Sequence, residues 1–241
     1  MILDLDLGNT RLKWRLSDQL RRVTPTIAIE LRSVDSLPPI DPPEPITRIR
    51  IATVRGPAAE AALVSWARSR FGVDPEFARS SVSHAGLTNG YTTPELLGVD
   101  RWLALLAALR DGGAPAVVFD FGSAITVDAV STDGSHLGGC IAPGIMMMQK
   151  GLLEGTDLVR FRPSDTVHIV ASRNTSDAVS AGVLAAAVGF ADELWWRLHA
   201  RTGASFATIT GGDVYLVAPH LRFPIVHRPD LVLDGLSVAL P

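Results

Sequence analysis

Two short segments of this chain carry a carboxylate, a glycine and a small polar residue at one spacing. The first is Asp6-Leu7-Gly8-Asn9-Thr10 and the second Asp120-Phe121-Gly122-Ser123, 114 residues apart in a chain of 241. Apolar residues alternate before and after each glycine, the pattern of strand, tight turn and strand. Such a bend gathers backbone N–H groups and a hydroxyl or amide side chain around a concavity, which suits phosphate oxygens. One Asp-x-Gly turn is ordinary. Two of them at half the chain length point to a duplicated architecture, with two bends facing each other able to grip a polyphosphate and its magnesium. Without gaps, Asp6 aligns with Asp120, Gly8 with Gly122, Asn9 with Ser123 and Thr10 with Ala124. A further glycine bend, Gly211-Gly212, follows the apolar run Phe206 to Thr210 and offers bare backbone to a nucleoside.

Phosphoryl transfer also needs a group that takes a proton from the acceptor. The stretch "NGYTTPELLGVDRW", Asn89 to Trp102, places Asp100 and Arg101 at the head of an apolar helical run. Asp is a favoured N-cap. A helix N-terminus also holds anions, and an Asp there can accept a proton from an alcohol. The residues alone leave both readings open. Other phosphate and metal chemistries find no support. Asp120-Phe121-Gly122 spells the DFG of protein kinases, but no H-R-D loop and no glycine-rich loop with a strand lysine accompany it. Neither lysine, Lys13 or Lys150, lies in a Walker A sequence, and the six histidines show no H-E-x-x-H spacing.

The elements that must position these residues are α/β in class. "SLPPIDPPEP", Ser36 to Pro45, has too many prolines for a central strand and reads as a loop. "RIRIATV" follows as a strand, and Pro57 and Gly72 bracket a helix. A second helix runs through "DRWLALLAALRDGG". In the second half come a glycine-ended strand, "SHLGGCIAPG", a Met-rich helix start and a loop around Arg160 to Ser172. A long apolar helix then runs from about Ser176 to Arg201, capped by Asn174 or Thr175, before the strand "FATIT". Strands and helices alternate in both halves, so two related domains are expected, 1–114 and 115–241.

Composition narrows the partners. With 47% hydrophobic residues, 22 basic and 25 acidic side chains and a net charge of −3, the chain reads as globular, with no basic stripe for nucleic acid. The single cysteine, Cys140, excludes an internal disulfide and reads as a small apolar residue. Asp4 and Asp6 interrupt what a signal peptide would need. The apolar centre of the long helix, from Ala178, is about 14 residues, short of the roughly 20 that span a bilayer. A cytoplasmic protein without a membrane partner is expected.

In this order, "DLGNTRLKW", "NGY" with "GVDRW", "DFGSAITVD", "HLGGCIAPG", "NTSDAVSAG" and "TGGD" resemble the type III pantothenate kinases over nearly the whole chain. The resemblance implies the actin, Hsp70 and sugar kinase fold, two ribonuclease-H-like domains facing each other. It also implies a homodimer with pantothenate near the subunit interface. It assigns ATP to the first bend, through Asp6, Leu7, Gly8, Asn9, Thr10, Arg11, Leu12 and Lys13, and to Ser123, where many relatives carry threonine. Asp100 would be the general base. Pantothenate would meet Tyr91, Gly98, Val99, Asp100, Arg101 and Thr175, and Asp120 would hold a monovalent cation, K+ or NH4+, beside the Mg2+ of ATP. The implied reaction is ATP-dependent phosphorylation of pantothenate to 4'-phosphopantothenate, toward coenzyme A. The alternative is an accessory regulator of gene expression with the same fold and no turnover. The intact set Asp6, Asp100, Arg101 and Asp120 argues against it. Another sugar or acid kinase of the superfamily fits "NGY" and "GVDRW" less well, and an Hsp70-like or actin-like clamp would need a longer chain.

Overall fold

Leucine and aspartate alternate along β1 (Ile2–Leu7), so its two faces differ in kind. β1 pairs antiparallel with β2 (Arg11–Ser17), which carries β3 (Ile27–Glu30) at its other edge. On its other side β1 pairs in parallel with β4 (Arg48–Thr53), followed by β5 (Glu76–Phe77), for a sheet order β3-β2-β1-β4-β5. Leu3, Leu5, Leu7, Leu12, Leu16, Ile49 and Ile51 form one buried face together with Leu63 and Ala67 of α1 (Pro57–Phe71). α1 has the expected limits: proline opens it, and Gly72, at φ 68°, closes it by donating its N–H to Arg68 O. A two-strand ribbon, β6 (Ser83–His84) and β7 (Leu87–Thr88), leads to α2 (Val99–Gly112). Residues 37–45 of the proline-rich stretch form no strand.

The computed structural model describes residues 1–18, 23–31, 33–34, 37–162 and 168–241. Ser36 of the proline-rich stretch and 163–167 of the expected 160–172 loop lie outside the described residues. The chain divides into two units, Met1–Asp111 with Asp230–Pro241, and Gly112–Pro229.

The second unit repeats the first sheet. β8 (Ala116–Phe121), β9 (Ala124–Val130), β10 (His136–Pro143), β11 (Ala207–Thr210) and β12 (Ile225–His227) stand in the order β10-β9-β8-β11-β12, strand for strand the order of the first sheet. Between β10 and β11 lie α3 (Ile145–Gly155) and α4 (Thr175–Thr202), and α5 (Val214–Val217) follows β11. Leu184, Val188 and Trp195 of α4 pack on Phe119, Phe121, Val127 and Ile209 of the sheet. α4 is capped by Asn174, whose side chain accepts from Asp177 N. At 28 residues it is long and apolar enough to cross a membrane by composition, so the argument from its short apolar centre fails. The burial of Leu184, Val188 and Trp195 is instead that of a core helix. Cys140 is a free cysteine, exposed on the edge strand β10.

The expected domain boundaries need correction at the end of the chain. The last helix, α6 (Leu231–Ala239), belongs to the first unit, together with the rest of Asp230–Pro241. Its side chains Leu231, Val232, Leu233 and Leu236 are buried. It is also tied to the polar face of the first sheet. Asp4 is fully buried there and accepts from Arg50 Nε at 2.7 Å, Arg15 Nε at 3.3 Å and Ser17 Oγ at 3.0 Å. Arg15 continues to Leu233 O at 2.8 Å and Asp234 Oδ1 at 2.5 Å, and Arg50 donates to Leu240 O at 2.9 Å. These contacts, remote in sequence, draw the C-terminus back to β1.

Candidate active site

The first bend is shaped from behind. Leu7 stands opposite Leu12, and Gly8 N donates to Arg11 O at 3.0 Å to close the turn. Each carbonyl along it meets a donor. Thr53 Oγ1 donates to Leu7 O at 3.2 Å, Arg55 Nε to Gly8 O at 2.9 Å, Arg55 Nη2 to Asn9 O at 3.0 Å, and Leu31 N to Thr10 O at 3.0 Å. The turn therefore presents its carbonyls to its own unit, the polarity an anion-binding bend needs. Asp6, partly exposed, ends this row opposite Lys13, a pair of unlike charges in register. The segment Asp6, Leu7, Gly8, Asn9, Thr10, Arg11, Leu12 and Lys13 is thus one hairpin tip.

The second bend is shorter. Phe121 stands opposite Ile125, and Gly122 N donates to Ala124 O at 3.0 Å. Asp6 and Gly8 keep their counterparts in Asp120 and Gly122, but the first turn has one residue more. The gap-free match therefore ends at the bend, and Asn9 with Thr10 occupies the place of the exposed Ser123 alone. Close backbone contact encloses this turn. Gly144 N donates to Ser123 O at 3.1 Å, and a Cβ on Gly144 would lie 2.3 Å from Gly122 O. A Cβ on Gly211, at φ 108°, would lie 2.3 Å from Phe121 O and 2.5 Å from Asp120 Oδ1. Glycine is required at both places for space.

The third cluster surrounds Asp100. Gly98 O accepts the first helical bond, from Trp102 N at 3.0 Å, so Asp100 lies inside the first turn of α2 and is not its N-cap. Its Oδ1 accepts from Arg101 N at 2.8 Å, and a Cβ on Gly98 would lie 2.7 Å from that oxygen. Val99 is buried beside it. Arg101 is 6% exposed, donates from Nη1 to Tyr91 OH at 2.6 Å and lies over the Tyr91 ring at 5.4 Å. Asn89 builds the loop that carries Tyr91: its Nδ2 donates to Ser81 O and Pro94 O, both at 3.1 Å, and its Oδ1 accepts from Tyr91 N at 3.0 Å. Thr175 belongs to the second unit, exposed at the first turn of α4, in a groove of about 890 Å³ lined by Met148, Leu152, Val179 and Val183.

The structure thus joins the first-bend residues in one turn, Asp120 and Ser123 in another, and Tyr91 with Gly98, Val99, Asp100 and Arg101 in a third group. Asn89 stood in a quoted motif without a role, and Arg55 carried no local signal at all. Among the described residues no three His, Cys, Asp or Glu side chains gather as a metal cluster. Mg2+ on a nucleotide needs only one or two carboxylates beside phosphate and water oxygens, and Asp6 fits that need. For a monovalent cation, Asp120 Oδ1 and Phe121 O lie close together where the second bend packs on Gly211, oxygen donors of the kind such an ion takes.

Two sheets of one strand order, each with an Asp-Gly bend after its first strand, define the two-domain fold of actin-like ATPases and sugar kinases. Residues 2–197 match the type III pantothenate kinase family, and the chain belongs to it. It is accordingly a kinase of pantothenate, a nucleotide-using transferase of coenzyme A biosynthesis. The type III pantothenate kinase of Chromohalobacter salexigens is 37% identical, over 100% of this chain and 88% of that one. That of Alcanivorax borkumensis is 33% identical, over 98% and 97%. Among solved structures, a protein from Campylobacter jejuni described as a Baf family transcriptional activator superposes with a TM-score of 0.62 at 20% identity, over 98% of this chain and 95% of that one. The activator of 2-hydroxyisocaproyl-CoA dehydratase from Clostridium difficile, with bound ADPNP, gives 0.53 at 12%, over 99% and 92%. These two likenesses show the fold alone.

Proposed function

We propose that Asp100 is the general base in a direct in-line transfer of the ATP γ-phosphoryl group to the primary hydroxyl of pantothenate. The observation that carries this reading is the placement of Asp100 in the first turn of α2, one oxygen held by Arg101 N, next to the paired Arg101 and Tyr91. That bond fixes the carboxylate's orientation at the head of the helix, where a carboxylate can take the proton of an alcohol. The Arg101 guanidinium, held by Tyr91, receives the pantothenate carboxylate, with Gly98 and Val99 as the floor of the pocket and Thr175 as a further contact. The bend Asp6 to Lys13 and the Ser123 hydroxyl hold the ATP phosphates. Positioning and charge stabilisation supply most of the rate in such transfers. When bound, Mg2+ at Asp6 spreads the phosphate charge, and K+ or NH4+ at Asp120 offsets the repulsion between that carboxylate and the phosphates. The enzyme works as a cytoplasmic homodimer, with neither nucleic acid nor membrane as partner.

The test is turnover of purified protein with ATP and pantothenate beside a panel of sugars, in K+ and in Na+ buffer at fixed Mg2+. Formation of 4'-phosphopantothenate with pantothenate alone, faster in K+, is expected. Turnover of a sugar in preference to pantothenate would overturn the acceptor assignment, and equal rates in both buffers the cation. A protein that binds ATP and turns over nothing would favour the regulator reading that the Campylobacter description suggests.

A further inference from the structure

We propose that Arg55 is a positioning residue for ATP, holding the first phosphate bend in its binding form. The inference rests on the reading that this bend receives ATP. Arg55 follows β4, 46 to 47 residues beyond the turn it touches. Its main-chain N donates to Thr53 Oγ1 at 3.1 Å, and that hydroxyl donates to Leu7 O, so the backbone on either side of the contact is already fixed. From there the guanidinium donates to Gly8 O at 2.9 Å, Asn9 O at 3.0 Å and Leu31 O at 2.6 Å. Leu31 N in turn donates to Thr10 O, so the one side chain secures the bend directly and through its neighbour.

Only arginine meets this requirement. Its planar fork reaches successive carbonyls at once, whereas a lysine ammonium is a point donor on a flexible stem. The contact acts on phosphate in two ways. First, peptide groups whose carbonyls are held on one side present their N–H groups to the other. Releasing Gly8 O and Asn9 O lets those peptides rotate and turn an oxygen toward the anion. Second, the guanidinium carries a positive charge, and the three carbonyls hold it directly behind the turn, where its field favours a polyanion in front. Pantothenate, assigned to the Arg101 and Tyr91 cluster, makes no use of this turn. The effect should therefore be confined to the nucleotide.

The experiment measures binding of adenylyl imidodiphosphate by calorimetry, KM for each substrate, and melting temperature, for wild type, Arg55→Ala, Arg55→Lys and Asp6→Asn. Loss of charge-assisted bonds of this kind predicts ATP affinity about tenfold weaker in Arg55→Ala, with KM for pantothenate unchanged. Arg55→Lys, which keeps the charge and loses the fork, should fall between the two, and it remains measurable if the alanine variant fails to fold. Wild-type ATP affinity in both Arg55 variants overturns the proposal, as does an equal loss for pantothenate, the mark of a general structural role. If Asp6→Asn weakens ATP binding while the Arg55 variants do not, the positioning role falls and the phosphate bend stands. If none of the three weakens it, the bend reading falls and takes the proposal with it.

Discussion

Asp4 and Asp6 sit two positions apart on the same face of β1, and their surroundings give them different work. Asp4 is sealed beneath α6 between Arg15 and Arg50, whereas Asp6 lies at the strand end beside the turn. Removing one member of a buried ion-pair network leaves uncompensated charge and typically costs about 3–5 kcal/mol. Asp4→Ala should therefore lower the urea midpoint by that equivalent while any protein that stays folded keeps its KM for ATP. A change in KM without loss of stability would mean that Asp4 belongs to the site. Asp100 offers the complementary case. Asn at this position can still accept from Arg101 N, so Asp100→Asn should fold and bind ATP normally. Its kcat should fall about a hundredfold to ten-thousandfold if, as proposed, Asp100 is the proton acceptor. Near-normal kcat would place the base on another residue.

Among the elements, those announced by local chemistry were legible in the sequence. Pro57 and Gly72 bracket α1, Asn174 caps α4, and the two Asp-x-Gly bends fall between paired strands. What depended on contacts remote in the chain was not. The extra residue of the first turn appears only in the register of the strands, because a sequence match at one offset cannot see a one-residue slip between similar hairpins. Arg55 gave no signal because its partners lie 24 to 47 residues earlier, and Gly144 because its reason is a neighbouring backbone. β5 is equally hidden. It has two residues, and a side-chain tie at its start reinforces its pairing with β4: Arg48 donates from Nε to Glu76 Oε1 at 2.6 Å and from Nη2 to Oε2 at 2.8 Å. Hydrogen bonding and the charge of Arg48 hold the Glu76 carboxyl below its ordinary value of 4.5. A depressed carboxyl stabilises the fold above that ordinary value, and the contribution is lost as pH falls through the folded one. The tie is part-exposed and screened by salt, so its effect is small. Glu76→Gln should lower the melting temperature slightly near pH 7 and flatten its acid limb, the two proteins converging at low pH. An acid limb identical to wild type would show that the pair adds nothing to stability.

For the molecule as a whole, the return of the C-terminus matters most, because the first unit is incomplete without it. Four aliphatic side chains of α6, Leu231, Val232, Leu233 and Leu236, are buried. Full burial of such side chains contributes roughly 1.5–3 kcal/mol each, so together they match the roughly 5–15 kcal/mol by which a whole domain is stable. Removing α6 would also take acceptors from Arg15 and Arg50, both largely buried. A chain ending at Pro229 should therefore fail to fold its first unit, although it retains every residue assigned to the chemistry. The same interface allows a gentler probe. Gly235 lies so close to α2 that a Cβ would stand 2.2 Å from Leu103 O, a backbone atom that cannot swing aside. Gly235→Ala must push α6 away from α2, the helix whose first turn carries Asp100. The expected result is a lower melting temperature together with a reduced kcat, since displacement of α2 moves the proposed base. The control is Gly182→Ala on α4, where an added Cβ meets nothing within 4 Å in the chain, so the monomer's packing predicts no loss of stability. A Gly235→Ala protein with wild-type melting temperature and kcat would show that α6 can shift without disturbing the first unit.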